Sequence, residues 1–159
     1  SMKEYLLTFH RFRQAFRNMP GLPWLWSKPV AGLLIGVSGF ILSFLGIFPD
    51  LLFFSLWISP FFIFWGTRVL WNRKSCFETV RTGDYTQVMA YAAAALICGF
   101  FWEMFNMYSL ARWEYAIPYV QVFQIFEMPV LGYAGYLPFG LECGLIIELV
   151  SRRADRAAL

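Results

Sequence analysis

Residues 88–108 read VMAYAAAALICGFFWEMFNMY, twenty-one residues with one charge, Glu103. About twenty apolar residues is the length an α-helix needs to cross the hydrocarbon of a bilayer. Three further stretches read the same way. Residues 30–48 carry no charge, and Gly32, Gly36, Gly39, Ser43 and Gly46 place small residues along one face. Small residues let helix backbones approach closely in lipid. Residues 51–70 follow a Pro49-Asp50 turn, with Pro60 as a kink and Arg68 placed to snorkel. Residues 128–150 are interrupted by Pro129 and Pro138.

Composition agrees with those four stretches. Of 159 residues 59% are hydrophobic, 21% aromatic and only 14% charged, against about 25% charged in a soluble domain. Eighteen Phe, eight Tyr and seven Trp exceed what one small soluble core can bury. Disorder, a disulfide-rich secreted module and an ordinary cytosolic enzyme are excluded. The expected fold is an all-α integral membrane bundle of four transmembrane helices, over about 30–48, 51–70, 88–108 and 128–150. An amphipathic, basic segment, residues 1–29, precedes it.

In that segment Leu6, Phe9, Phe12 and Phe16 recur at helical spacing among Lys3, Arg11, Arg13 and Arg17. The pattern suits a helix lying in the membrane surface, or a short cytosolic helix packed on the bundle. No apolar run or cleavage site marks a secretory leader. Met2 is the expected native start with Ser1 a cloning remnant, or else the chain is a trimmed part of a longer protein.

Twelve of the thirteen Lys and Arg lie in the amino-terminal segment, around the 71–87 loop or in the tail, and only Arg112 lies elsewhere. The positive-inside rule then puts both termini in the cytoplasm of a multi-pass protein of the bacterial inner membrane.

Charged groups inside a bilayer are costly, so each needs a reason. Glu103 and Asn106 share a helix face with Gly99. Glu127 and Glu142, if on one helix, lie about 60° apart around it and ~22 Å apart along it. Glu148 is four residues from Arg152, which an ion pair at the inner surface explains. Two readings of the remaining acids stand. In one, Glu103, Asn106 and Glu127 converge around a lipophilic pocket as catalytic residues, with Trp102, Trp113, Tyr115, Tyr133, Tyr136 and Glu142 contacting the bound molecule. In the other, Glu103, Asn106 and Glu142 hydrogen-bond across helices and only hold the bundle together. An interfacial aromatic belt accounts equally for Trp113, Tyr115 and Tyr119, and a solvated pair for Arg112 and Glu114. Pro129, Gly132, Gly135, Pro138 and Gly140 suggest a helix locally opened against a cavity.

Other chemistries lack their ligands. Cys76, Cys98 and Cys143 show no metal spacing and read as structural, and His10 is the single histidine. No metal, no cofactor and no nucleic-acid partner is expected.

Residues 101–142, FWEMFNMYSLARWEYAIPYVQVFQIFEMPVLGYAGYLPFGLE, carry a resemblance. They are similar to many uncharacterised bacterial membrane proteins with a Phe-Glu-Met-Pro segment, here Phe126-Glu127-Met128-Pro129. More remotely they resemble the small membrane repeat of bacterial and fungal lycopene cyclases. There an acidic helix end, an aromatic connection and a Pro-x-Glu-Glu segment precede a hydrophobic helix. The likeness covers about 42 of 159 residues, and Glu127 stands alone where the cyclases carry paired acids. It implies binding of a membrane lipid of isoprenoid or carotenoid type, with acid-catalysed isomerisation or cyclisation. Glu103 and Glu127 match the acidic positions. Asn106 is then expected to orient one acid, and Trp102, Tyr133 and Tyr136 to stabilise positive charge through their ring faces. The alternatives are a non-catalytic accessory subunit of a larger membrane complex, joined through the glycine stripe, and a homo-oligomeric proton or ion pathway.

Overall fold

The computed structural model describes residues 1–115 and 122–157, with the side chains of 152–157 left out. Seven α-helices follow one another: α1 Met2–Thr8, α2 His10–Ala15, α3 Lys28–Phe44, α4 Pro49–Leu52, α5 Ser55–Leu70, α6 Thr86–Met107 and α7 Tyr136–Ala157. Strand structure among the described residues is limited to Gln124–Ile125 (β1) paired antiparallel with Met128–Pro129 (β2). The protein is all-α.

Two helical stretches are long and apolar enough to cross a membrane, Thr86–Met107 and Val130–Ser151, rather than the four expected. The first hairpin falls short for a local reason. Phe48 is non-helical, Pro49 starts the separate turn α4, and α5 begins only at Ser55. That leaves seventeen residues in α3 and sixteen in α5, roughly 25 Å at 1.5 Å per residue. The last stretch also begins late as an α-helix. Pro129 has extended backbone, Val130–Gly135 forms a tight 3-10 turn, and α7 starts at Tyr136 with Pro138 inside its first turn. A proline costs nothing there, because the first-turn N–H groups have no helical partner.

Helices α3 and α5 pack along Gly66, where an added Cβ would lie 2.8 Å from Ile35 Cγ1. Helices α6 and α7 pack along Gly140, which sits against the Tyr91 carbonyl, and Gly144, against Phe77 and Tyr91. A core of Ala31, Trp65, Val69, Phe77 and Leu145 joins the two hairpins. Beside it Glu148 ties α7 to α5 through Arg68 at 2.9 Å and accepts the Cys76 backbone N–H at 2.9 Å. Arg68 is thus largely buried in a pair instead of snorkelling.

The amino-terminal segment breaks into two short helices at Phe9. It docks on the bundle rather than forming one free amphipathic helix. Tyr85 N–H donates to Phe16, Thr86 Oγ1 to Arg13, and Leu22 N–H to Val80. Lys3 Nζ lies 4.7 Å from the Tyr91 ring centre. Gly83, at φ 91°, has the Met19 carbonyl where a Cβ would be. These contacts bring the first segment, the 71–85 loop and the end of α7 to one end of the bundle.

The outer faces remain apolar. Leu33, Phe40 and Ile47 on the first hairpin are 64–65% exposed. Tyr119, expected in an aromatic belt, lies outside the described residues, as do the side chains of Arg152, Arg153 and Arg156.

Candidate functional site

Helix α6 puts Gly99, Glu103 and Asn106 on one buried face, as their spacing predicts. Glu103 is fully buried, at 0% exposure. Its Oε1 accepts two hydrogen bonds, from the Tyr136 hydroxyl at 2.6 Å and the Tyr115 hydroxyl at 2.8 Å. Gly99 makes the first of these sterically possible. A Cβ there would sit 2.6 Å from three atoms of the Tyr136 ring. Glu103 Oε2 is buried and has no hydrogen-bond partner.

Asn106 acts one step removed from the carboxylate. Its Nδ2 donates to the Trp113 carbonyl at 3.0 Å and its Oδ1 accepts the Trp113 N–H at 3.1 Å. The amide therefore clamps the connection after α6 as a neighbouring strand would. Trp113 Nε1 in turn donates to the Tyr115 hydroxyl at 2.8 Å, and the Trp113 ring stacks on Trp102 with centroids 5.6 Å apart. Asn106 is linked to Glu103 through Trp113 and Tyr115 and makes no hydrogen bond to it among the described residues. Burial and the bond to Glu103 push the Tyr115 phenol well above its usual value, so it stays protonated and remains a donor.

Tyr115 and Tyr136 also form part of the wall of a cavity of about 320 Å³. Phe53, Phe54, Trp57 and Ile58 wall it from the first hairpin, and Met128, Leu131, Gly132, Ala134, Gly135 and Pro138 join the two tyrosines from the second. The wall is almost wholly apolar. Its polar side-chain groups are the two tyrosine hydroxyls and the Trp57 indole N–H. A cavity of about 150 Å³ takes benzene, so this one holds roughly a dozen carbon atoms.

Neither Glu103 nor Glu127, expected to converge around a pocket, is among the cavity-wall residues. Glu127 sits in the turn between β1 and β2, not on a helix with Glu142, so helical geometry does not relate the two. Its partner is Arg112 at 3.2 Å, which also meets Glu114 at 3.3 Å. No hydrogen bond joins Glu127 to Glu103 among the described residues. The turn is held by Tyr133, whose hydroxyl donates to the Ile125 carbonyl at 3.2 Å, and Phe126 adopts φ 58° within it. Tyr133 lies beside Tyr136, ring centres 6.1 Å apart. Trp102, Trp113, Tyr133 and Glu142 are off the cavity wall. Glu142 Oε1 is buried and unpartnered.

Sequence reading missed Phe53, Phe54 and Trp57. Their signal was present, three aromatics spaced for one face across the start of α5. No cluster of three His, Cys, Asp or Glu among the described residues is placed to hold a metal ion. Compared with known proteins, the chain matches no family model, no curated protein and no solved structure.

Proposed function

We propose that the chain is a multi-pass protein of the bacterial inner membrane that binds a long apolar lipid of isoprenoid type in the cavity. The observation that carries the reading is the wall itself. It is apolar apart from Trp57 and two tyrosines that share one buried carboxyl group, the composition expected of a lipid site with few orienting polar groups. All four long helices cross in this reading, the shorter α3 and α5 thinning the bilayer locally. The exposed apolar side chains of α3 support it, because a water-facing surface rarely carries so continuous an apolar patch. Both termini face the cytoplasm, supported by the basic residues gathered at the end where the first segment docks.

Isomerisation or cyclisation begun by protonation, as the cyclase likeness implies, would fall to Glu103. The phenols of Tyr115 and Tyr136 stand between its carboxyl group and the cavity, which favours binding over direct protonation of the lipid. Glu127, paired to Arg112, has no place in that step.

The test is mass spectrometry of lipids retained by the protein purified in mild detergent, beside Ala134→Trp. Ala134 is on the cavity wall, so an indole there fills the space. A stoichiometric single-chain lipid should be retained by the wild type and lost from the variant. Equal lipid content in both would remove the cavity as the binding site.

A further inference from the structure

Glu103 is the most deeply buried acid described in the bundle, and its electrostatic surroundings are incomplete. Two phenols donate to its Oε1, while its Oε2 has no hydrogen-bond partner. No Lys or Arg lies within ion-pair distance of it among the described residues. Arg112, the basic residue of the same end of the bundle, is engaged by Glu114 and Glu127. A buried carboxyl group with one unpartnered oxygen and no countercharge gains from a cation brought near it.

The cavity in front of it has the complementary character. Five of its twelve wall residues are aromatic: Phe53, Phe54, Trp57, Tyr115 and Tyr136. Aromatic faces attract ammonium groups, most of all where water is excluded. The same wall is poorly made for an anionic head. The protons of both tyrosines are committed to Glu103, and no cationic or amide side chain is on the wall. Among the wall's side chains only the Trp57 N–H remains to donate to a carboxylate or phosphate.

We infer that the cavity takes a single-chain amphiphile with an ammonium head, whose positive charge lies among the aromatic rings and is balanced by Glu103 behind Tyr115 and Tyr136. The inference rests on the lipid-cavity reading and narrows it to one class of head group. The volume, roughly a dozen carbon atoms, sets the length of chain held inside.

The experiment uses the full chain in phosphatidylcholine nanodiscs, titrated with dodecyltrimethylammonium, dodecanol and dodecanoate, with empty nanodiscs subtracted. The ammonium probe should bind about tenfold or more tighter than the other two. Glu103→Gln should erase that preference while dodecanol affinity changes by less than about twofold. Ala134→Trp, which leaves Glu103 in place, should abolish saturable binding of the ammonium probe, a readout available even if Glu103→Gln fails to fold. Dodecanol binding as tightly as the ammonium probe, or a preference that survives Glu103→Gln, overturns the inference and leaves the lipid cavity standing. Absence of saturable binding by all three probes overturns both.

Discussion

Helix α3 and the α6–α7 pair use glycine in opposite ways. In α3 an added Cβ at Gly32, Gly36, Gly39 or Gly46 would meet nothing within 4 Å. In α6 and α7 a Cβ at Gly99, Gly140 or Gly144 would strike a tyrosine ring, a backbone carbonyl or a phenylalanine. The conspicuous stripe thus faces outward, while isolated glycines without a pattern set the close crossings. One of those, Gly99, also seats the side chain that reaches Glu103. Periodicity shows which residues share a face, but it does not show what that face meets.

The largest effect is expected at the close crossing of α6 and α7. Gly140→Leu drives a side chain into the Tyr91 carbonyl and Ala95 Cβ. Neither is the free end of a flexible chain, so the helices must separate. Overpacking of this kind costs about 3 kcal/mol. Thermal unfolding in detergent should show a large drop in midpoint, and an unchanged midpoint would mean that α7 does not cross α6 there.

Next comes the join between the hairpins, where Glu148 holds both Arg68 and the Cys76 N–H. Glu148→Gln removes the charge from a largely buried pair and should cost about 2 kcal/mol, less than a fully buried pair because both side chains keep some exposure. The Cys76 thiol reports on the same place. Burial and the neighbouring Glu148 push it from 9.0 up to about 11. A thiol raised in the folded state contributes stability that is complete below pH 9 and is lost as pH rises to 11. At pH 8 Cys76 should therefore react with maleimide about a hundredfold more slowly than in the unfolded chain, from its smaller thiolate fraction. Equal rates would show the join to be open.

Asn106→Ala is expected to cost less, about 1–2 kcal/mol for two hydrogen bonds to the Trp113 main chain. Its distinctive mark is positional. Releasing Trp113 frees its indole from Tyr115, so Trp113 fluorescence should shift toward that of an exposed indole. A variant with unchanged emission would place the clamp elsewhere.

Much of this site was legible in the residues and much was not, for reasons that differ by position. The buried face of Gly99, Glu103 and Asn106 followed from helical spacing alone, because all three lie on one continuous helix. The opened start of α7 followed from Pro129 and Pro138, since a missing N–H is a local property. The partner of Glu127 was out of reach, because Arg112 meets it only after the intervening connection has folded. Glu148 also meets Arg68, eighty positions earlier, a partner that spacing along one helix does not reveal, while the Arg152 side chain expected beside it lies outside the described residues. Phe53, Phe54 and Trp57 were passed over because aromatics at a helix end serve a membrane interface and a cavity wall equally well. Lengths failed for a related reason: hydropathy located the first two apolar stretches but not the residues that Phe48 and α4 take out of them.

The smallest effect is the sharpest test of the comparison between α3 and the α6–α7 pair. Gly36→Leu and Gly39→Leu introduce bulk into open space, so the isolated protein should lose no more than about 0.5 kcal/mol. Leucine also suits a helix interior better than glycine by up to about 0.8 kcal/mol, which pushes the expected change toward zero or slight stabilisation. Close packing in lipid predicts the reverse, but within the chain α3 meets α5 through Ala31 and Ile35 against Gly66, not through the stripe. Thermal unfolding of the monomer in detergent decides between them, and a loss of more than about 2 kcal/mol would place the stripe in the core. The same variants examined in native membranes answer a separate question. Intact monomers that no longer co-migrate with a second copy or a larger complex would assign the stripe to packing between chains, the one arrangement in which a glycine face that is open within the molecule still has to stay small.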